Sequence, residues 1–219
     1  MARKSDGLGS DGEGVTPRAR SIRRLALPVA ALLLAAMTAG CAATRGLMAL
    51  TQVDFSYDRV SDAEVAGIAL SGIHSYEDIR PTDAARLAIA IGLKDVPLDL
   101  TVHLTALNPR DNDVSARMTA LDWVYLVDGG EIVSGRLTGA RVFPPGEPRD
   151  VPLGVTLNLA RIFGSDGRAL LETALVLSGQ RTSTRRVTMR LTPYIETSAG
   201  AIRYPVPITL DLARPSEPR

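Results

Sequence analysis

One stretch, residues 97–127, limits what this chain can fold into. It reads PLDLTVHLTALNPRDNDVSARMTALDWVYLV. Leu98, Leu100, Val102, Leu104 and Ala106 share one parity, while Asp99, Thr101, His103 and Thr105 share the other. Successive side chains of a strand point to opposite faces, so this alternation predicts a half-buried β-strand and not a helix. Asn108-Pro109 ends it. Proline has no backbone donor for a ladder, and asparagine can bond its side chain to a turn backbone. The pair therefore predicts that the chain leaves its sheet at Asn108. A second long strand runs to Val127 and closes in the hairpin signal Asp128-Gly129-Gly130. Its apolar residues change parity: Ala116 and Met118 on one, Leu121, Trp123, Tyr125 and Val127 on the other. One face can bury both sets only if a residue is added to the pairing, so a β-bulge is expected at residues 120–122. Trp123, the only tryptophan, is read as core.

The flanking sequence adds strands and two helical insertions. Strands are expected at residues 52–60, 64–73, 131–138 and 185–195. Val151, Leu153, Val155, Leu157 and Leu159 define another, and Ile202 to Leu210 the last. Pro205 and Pro207 put that last strand at a sheet edge. Residues 81–92 open with Pro-Thr-Asp and are rich in Ala and Leu, which predicts a helix. Residues 158–163 and 167–177 also read as helical, with Asp166 as a cap between them. The fold class expected is mainly β: an immunoglobulin- or fibronectin type III-like antiparallel sandwich with two short helical insertions, spanning residues 51–212. Residues 213–219 form a tail rich in proline and charge.

The N-terminal segment reads as an address. A polar leader is followed by Arg18, Arg20, Arg23 and Arg24, then by an uncharged apolar run from Leu25 to Ala39. Such a run, roughly fifteen residues, is shorter than the ~20 a membrane-spanning helix needs but fits a signal-peptide core. It ends in Thr38-Ala39-Gly40-Cys41, which resembles a bacterial lipobox, with Thr38 where leucine is usual. That resemblance implies cleavage between Gly40 and Cys41 and lipidation of Cys41. It makes residues 1–40 a signal peptide with leader, and residues 41–50 a lipidated cysteine with its tether. Ala42 in place of an aspartate favours the outer membrane, facing the periplasm, in a diderm cell. Cys41 is the only cysteine, so no disulfide can form within the chain.

The residues of the mature part resemble a known family. A long alternating strand ends in Asn108-Pro109. It is followed by Leu121-Asp122-Trp123, the Asp128-Gly129 hairpin, Val133-Ser134-Gly135, and a Pro-Gly loop before Val151-Pro152-Leu153. This order is similar to the late embryogenesis abundant type 2 family, with its water stress and hypersensitive response domain. The resemblance implies the same sandwich and a role in desiccation or stress protection, without enzymatic activity. Bacterial members are often lipoproteins.

Recognisable chemistry is sparse. The only histidines are His74 and His103, and neither has a second histidine or a cysteine at zinc-ligand spacing. His103 is read as a solvated residue of a polar face, and Ser-His-Asp catalysis would need a serine held beside one of the two. Asp111-Asn112-Asp113 is short of the oxygens calcium needs. Arg181, Arg185, Arg186 and Arg190 form one basic stripe, read as a solvated face. The net charge of +1 includes the basic leader, so the mature part is near neutral and a nucleic-acid role is not expected. No cofactor or metal is expected. The sequence thus predicts a non-enzymatic, membrane-tethered envelope lipoprotein with a stress-associated protective or interaction domain. Its partners would be the membrane, through the lipid anchor, and an unknown protein or apolar ligand. The alternative is a binding module for an apolar small molecule or lipid, held between the sheets or under the helix at residues 81–92, for which the abundance of aliphatic over aromatic residues argues.

Overall fold

The structure, a computed structural model, describes residues 50–181, 185–197 and 200–212. Its strands are β1 (Asp54–Val65), β2 (Ile68–Ala69), β3 (Pro97–Leu107), β4 (Ala116–Val127), β5 (Gly130–Phe143), β6 (Pro148–Asn158), β7 (Val187–Thr197), β8 (Gly200–Arg203) and β9 (Ile208–Asp211). The helices are α1 (Pro81–Gly92), α2 (Leu159–Phe163) and α3 (Gly167–Leu177), with a single 3-10 turn at Tyr76–Asp78. One sheet has the order β2-β1-β3-β6, and the other β5-β4-β7 followed by β8 and β9, which both pair with β7. All pairs are antiparallel. The expected two-sheet antiparallel sandwich is the architecture found, and its strand order is that of a fibronectin type III-like domain.

β3 is the centre of the first sheet, and the alternation read from its sequence holds throughout. Leu98, Leu100, Val102, Leu104 and Ala106 are all buried, while the intervening residues are half-buried or exposed. β3 pairs with β6 without a break from Pro97↔Asn158 to Leu107↔Pro148. The inward residues of β6, Val151, Leu153, Val155 and Leu157, are likewise buried. From the second sheet, Leu121, Trp123 and Tyr125 of β4 and Met189, Leu191 and Ile195 of β7 close the core. Fully burying a side chain of this size stabilises by about 1.5–3 kcal/mol, so the shared core is the main force holding the sheets together.

Several boundaries differ from those read in the sequence. The strand expected at residues 64–73 is only the short β2. β1 runs on to Val65, and Ala66 and Gly67, with φ of 50° and 70°, make a two-residue hairpin turn that pairs Val65 with Ile68. Alanine rarely adopts positive φ, so the turn carried no usual signature. The last strand is divided: Pro205 and Pro207 interrupt it, and β8 and β9 pair separately with β7. β5 is longer than expected. The parity change in β4 falls between Ala120 and Leu121, both buried, as expected. The extra residue, however, lies on β5. Met118 pairs with Arg141 but Ala120 with Thr138, leaving Gly139 and Ala140 opposite Thr119. Gly139 takes φ of 107°, a conformation glycine adopts without a Cβ penalty.

The two insertions close one region of the sandwich. α1 keeps the expected bounds, with Pro81 in its first turn and Asp83 buried against Arg80 Nε at 2.7 Å. In α3, Asp166 Oδ1 accepts from the Ala169 amide at 3.0 Å, the cap expected of it. Leu170, Leu171, Ala174, Leu175 and Leu177 of α3 are buried. Tyr125 Oη donates to the Leu177 carbonyl at 3.3 Å, tying β4 to the end of α3, and burial raises its phenol well above the ordinary range. Among the described residues no helix is long and apolar enough to cross a membrane.

Candidate functional site

Asn108 is the most heavily bonded residue among those singled out by the sequence. It is fully buried. Its amide nitrogen donates to the Val114 carbonyl at 3.1 Å and to the Phe143 carbonyl at 2.7 Å. Its Oδ1 accepts from Asn112 Nδ2 at 2.6 Å, and its own carbonyl accepts from the Gly146 amide at 2.7 Å. The expected side-chain bond to the turn backbone forms, to Val114, and the same amide also reaches the end of β5 at Phe143, so the side chain ties the turn after β3 to β5. Asn112 turns inward to meet it, while Asp111 and Asp113 are exposed, and no group of possible metal ligands occurs among the described residues. Pro109 is half-buried at the exit. Trp123 is core, as expected, 6 % exposed, and its ring lies over Gly135 on the neighbouring strand. Gly40 and Cys41 lie outside the described residues, as do the leader, most of the tether and the C-terminal tail.

A pocket of about 290 Å³ opens between α3 and the ends of β4 and β7. Val127, Val176, Leu177 and Val187 give it an apolar floor, and Phe163 forms one wall. Val127 and Val187 are a cross-strand pair. Charge is confined to the lining residues Glu172 and Arg185. Arg185 stacks over the Phe163 ring at 5.8 Å, and Arg181 reaches Glu172 at 3.8 Å. The geometry suits an apolar body with a polar end, at the small limit of ligand pockets. Its place differs from the one expected. α1 buries only Leu87 and Asp83, and the pocket forms instead under α3, which covers the sandwich more completely.

The basic stripe also divides. Arg185 lines this pocket and Arg181 pairs with its Glu172, whereas Arg186 and Arg190 line a separate shallow groove with Thr188 and Thr209. His103 differs more. It is on the outer face of β3, as expected, but its side chain is only 12 % exposed and is held by Asp150 on one nitrogen and Ser61 on the other. Neither Ser61 nor Asp150 carries a sequence signal of its own. Their approach depends on the pairing of three strands.

These features define the class: a fibronectin type III-like sandwich with an open, mixed polar and apolar pocket beside α3. No family model matches the chain. No curated protein matches it either. Among solved structures it is similar to a candidate late embryogenesis abundant protein determined in solution, at 10% identity and a TM-score of 0.37 over 91% of each chain. It is also similar to a protein from Archaeoglobus fulgidus, at 10% identity and a TM-score of 0.33 over 73% of this chain and 90% of the other.

Proposed function

We propose that the chain is a membrane-tethered envelope lipoprotein whose sandwich serves as a desiccation- or stress-associated protective or interaction domain. The observation that carries the tether is the direct succession of arginine cluster, apolar run and Cys41, with the first strand of the sandwich beginning at Asp54. A single acyl chain holds a protein to a membrane only marginally, so a lipidated Cys41 carrying more than one chain supplies a stable anchor. The order of motifs around Asn108-Pro109 supports the stress-associated role. Cys41→Ser is expected to abolish incorporation of a labelled fatty acid and leave uncleaved precursor. Label retained by the variant refutes the anchor. Deletion of the gene is expected to lower survival after drying or osmotic shock, and an unchanged survival curve counts against the protective role.

A second reading is favoured by the pocket under α3: a binding module for an apolar small molecule or lipid in the envelope. Val176 lines the pocket on the helix side. Val176→Phe is expected to fill it and weaken binding of a fluorescent fatty-acid analogue at least about tenfold, equivalent to 1.4 kcal/mol. The melting temperature should stay near that of the parent. Undiminished binding would place the ligand elsewhere.

A further inference from the structure

Three strands of the first sheet bring Ser61, His103 and Asp150 together on its outer face. Arg59 lies opposite His103 on β1, and Pro152 lies opposite it on β6. The residues two places along, Ser61 and Asp150, are its diagonal neighbours, within reach of a ring of this size. Ser61 Oγ is 2.9 Å from His103 Nε2, and His103 Nδ1 is 3.0 Å from each oxygen of Asp150. β1 loses its register on both sides of Ser61, between Tyr57 and Arg59 and again between Ser61 and Glu64. Asp62 takes φ of 52°. This irregular backbone sets Ser61 in the wall of a cleft of about 320 Å³, with Ala63, Ala69, Ser71, Ser178 and Gln180.

We infer that Ser61, His103 and Asp150 form a nucleophilic relay that cleaves small carboxylic esters, with Ser61 the member that lines the cleft. A serine hydroxyl is a weak nucleophile until an adjacent base takes its proton, and a carboxylate on the other ring nitrogen fixes the tautomer that can do so. With Nδ1–H donated to Asp150, Nε2 can accept from Ser61 once the hydroxyl turns from Asp62 Oδ2, to which it donates at 2.6 Å. Ser61 Oγ attacks the ester carbonyl carbon as its proton passes to Nε2. The tetrahedral adduct collapses, the C–O bond to the alcohol breaks, and the alkoxide takes that proton and leaves. Water then attacks the acyl carbon, losing a proton to Nε2. Ser61 recovers that proton as the acid departs. No oxidant, metal or cofactor enters the balance. The charged residues lining the cleft are Asp62 and Glu64, so substrates without negative charge are favoured. This activity is independent of both the anchor and the pocket under α3.

Other charged groups reach the relay. Ser61 Oγ also lies 2.6 Å from Asp62 Oδ2. Arg59, ion-paired to Asp58, places Nη2 3.4 Å from Nδ1, and Asp150 faces the ring from β6. While the Ser61 hydroxyl donates to Asp62, its proton is held away from Nε2. The relay is then off. Neutralising Asp62 should therefore raise activity.

The test uses the full-length chain with a fluorophosphonate probe and p-nitrophenyl acetate. Ser61 displaces fluoride from phosphorus, and the adduct is located by peptide mass spectrometry. The wild type is expected to label at Ser61 and to hydrolyse the ester, and Ser61→Ala to do neither. His103→Gln should slow both by about 100-fold or more, the lower bound of a positioned general base. Asp62→Asn, which keeps a residue tolerant of positive φ and weakens the competing acceptor, should raise the rate of hydrolysis. These outer-face variants should melt with the parent. Labelling of wild type no faster than Ser61→Ala overturns the inference, and Ser61 labelling that is indifferent to His103 overturns the relay.

Discussion

Replacing Asn108 with alanine is expected to destabilise the fold by about 3–5 kcal/mol, several times the worth of one hydrogen bond. Each polar partner stranded in the interior costs about 1–3 kcal/mol, because it gave up water for a bond it no longer makes. The substitution strands the buried Phe143 carbonyl and takes one partner each from the Val114 carbonyl and the Asn112 amide. All side-chain donors and the acceptor of Asn108 are engaged, so no smaller residue reproduces the arrangement. Aspartate is a poor substitute, since its ionised carboxylate would face two carbonyl oxygens. Urea melts of the domain with its N-terminal segment intact would measure the loss as a lower midpoint at unchanged slope. Leu104→Ala in the neighbouring core sets the scale, at roughly 2–5 kcal/mol. If Asn108→Ala melts with the parent while a binding or protection assay fails, the corner serves function and the structural account is wrong.

The sequence supports only about 1 kcal/mol for Asn108, one turn bond, because its partners lie far along the chain. Val114 is close in sequence, but Phe143 is not, and nothing in the local pattern reports that β5 ends there. The alternation of Leu98 to Ala106 was legible for the opposite reason. Period two is a local property, and burial on one face follows from it whatever pairs alongside. The Pro81 start and the Asp166 cap were legible on the same local grounds. Ala66-Gly67 was not, since it uses an alanine where turn residues are expected. Ser61, His103 and Asp150 mark the limit. Their meeting depends on the register of β1 and β6 against β3, and the irregularities flanking Ser61 leave no mark that a single sequence reveals. The pocket under α3 shares this difficulty: its valines read as ordinary strand and helix core, and only the docking of α3 leaves space between them.

Gly135 should tolerate no side chain while Trp123 stays where it is. A Cβ at Gly135 would lie 2.3 Å from Trp123 Cζ2 and 2.7 Å from Cε2. These atoms belong to a rigid bicyclic ring that is 6 % exposed and sits between its cross-strand partners Gly135 and Leu191. Backbone or ring must move, and forcing extra volume into a packed core costs about 1–3 kcal/mol, more where nothing flexible can yield. Gly135→Ala is therefore expected to lose about 3 kcal/mol, and Gly135→Val more. The clash identifies its own cure. Trp123→Leu alone leaves a cavity and should lose about 3 kcal/mol, near the cost of truncating a large core residue. In the double variant the new methyl enters space the indole has vacated. Its loss should fall below the sum of the single losses by about 1–3 kcal/mol, the range seen for residues in contact. Strict additivity in denaturant melts would show that Gly135 is required for its backbone and not for the room it leaves. The same cycle bears on the hairpin, because Gly135 and Trp123 fix which residues of β4 and β5 face one another. A register slip in Gly135→Ala would move Val133 and Leu137 to the outer face, and near-ultraviolet circular dichroism of the single tryptophan would report it.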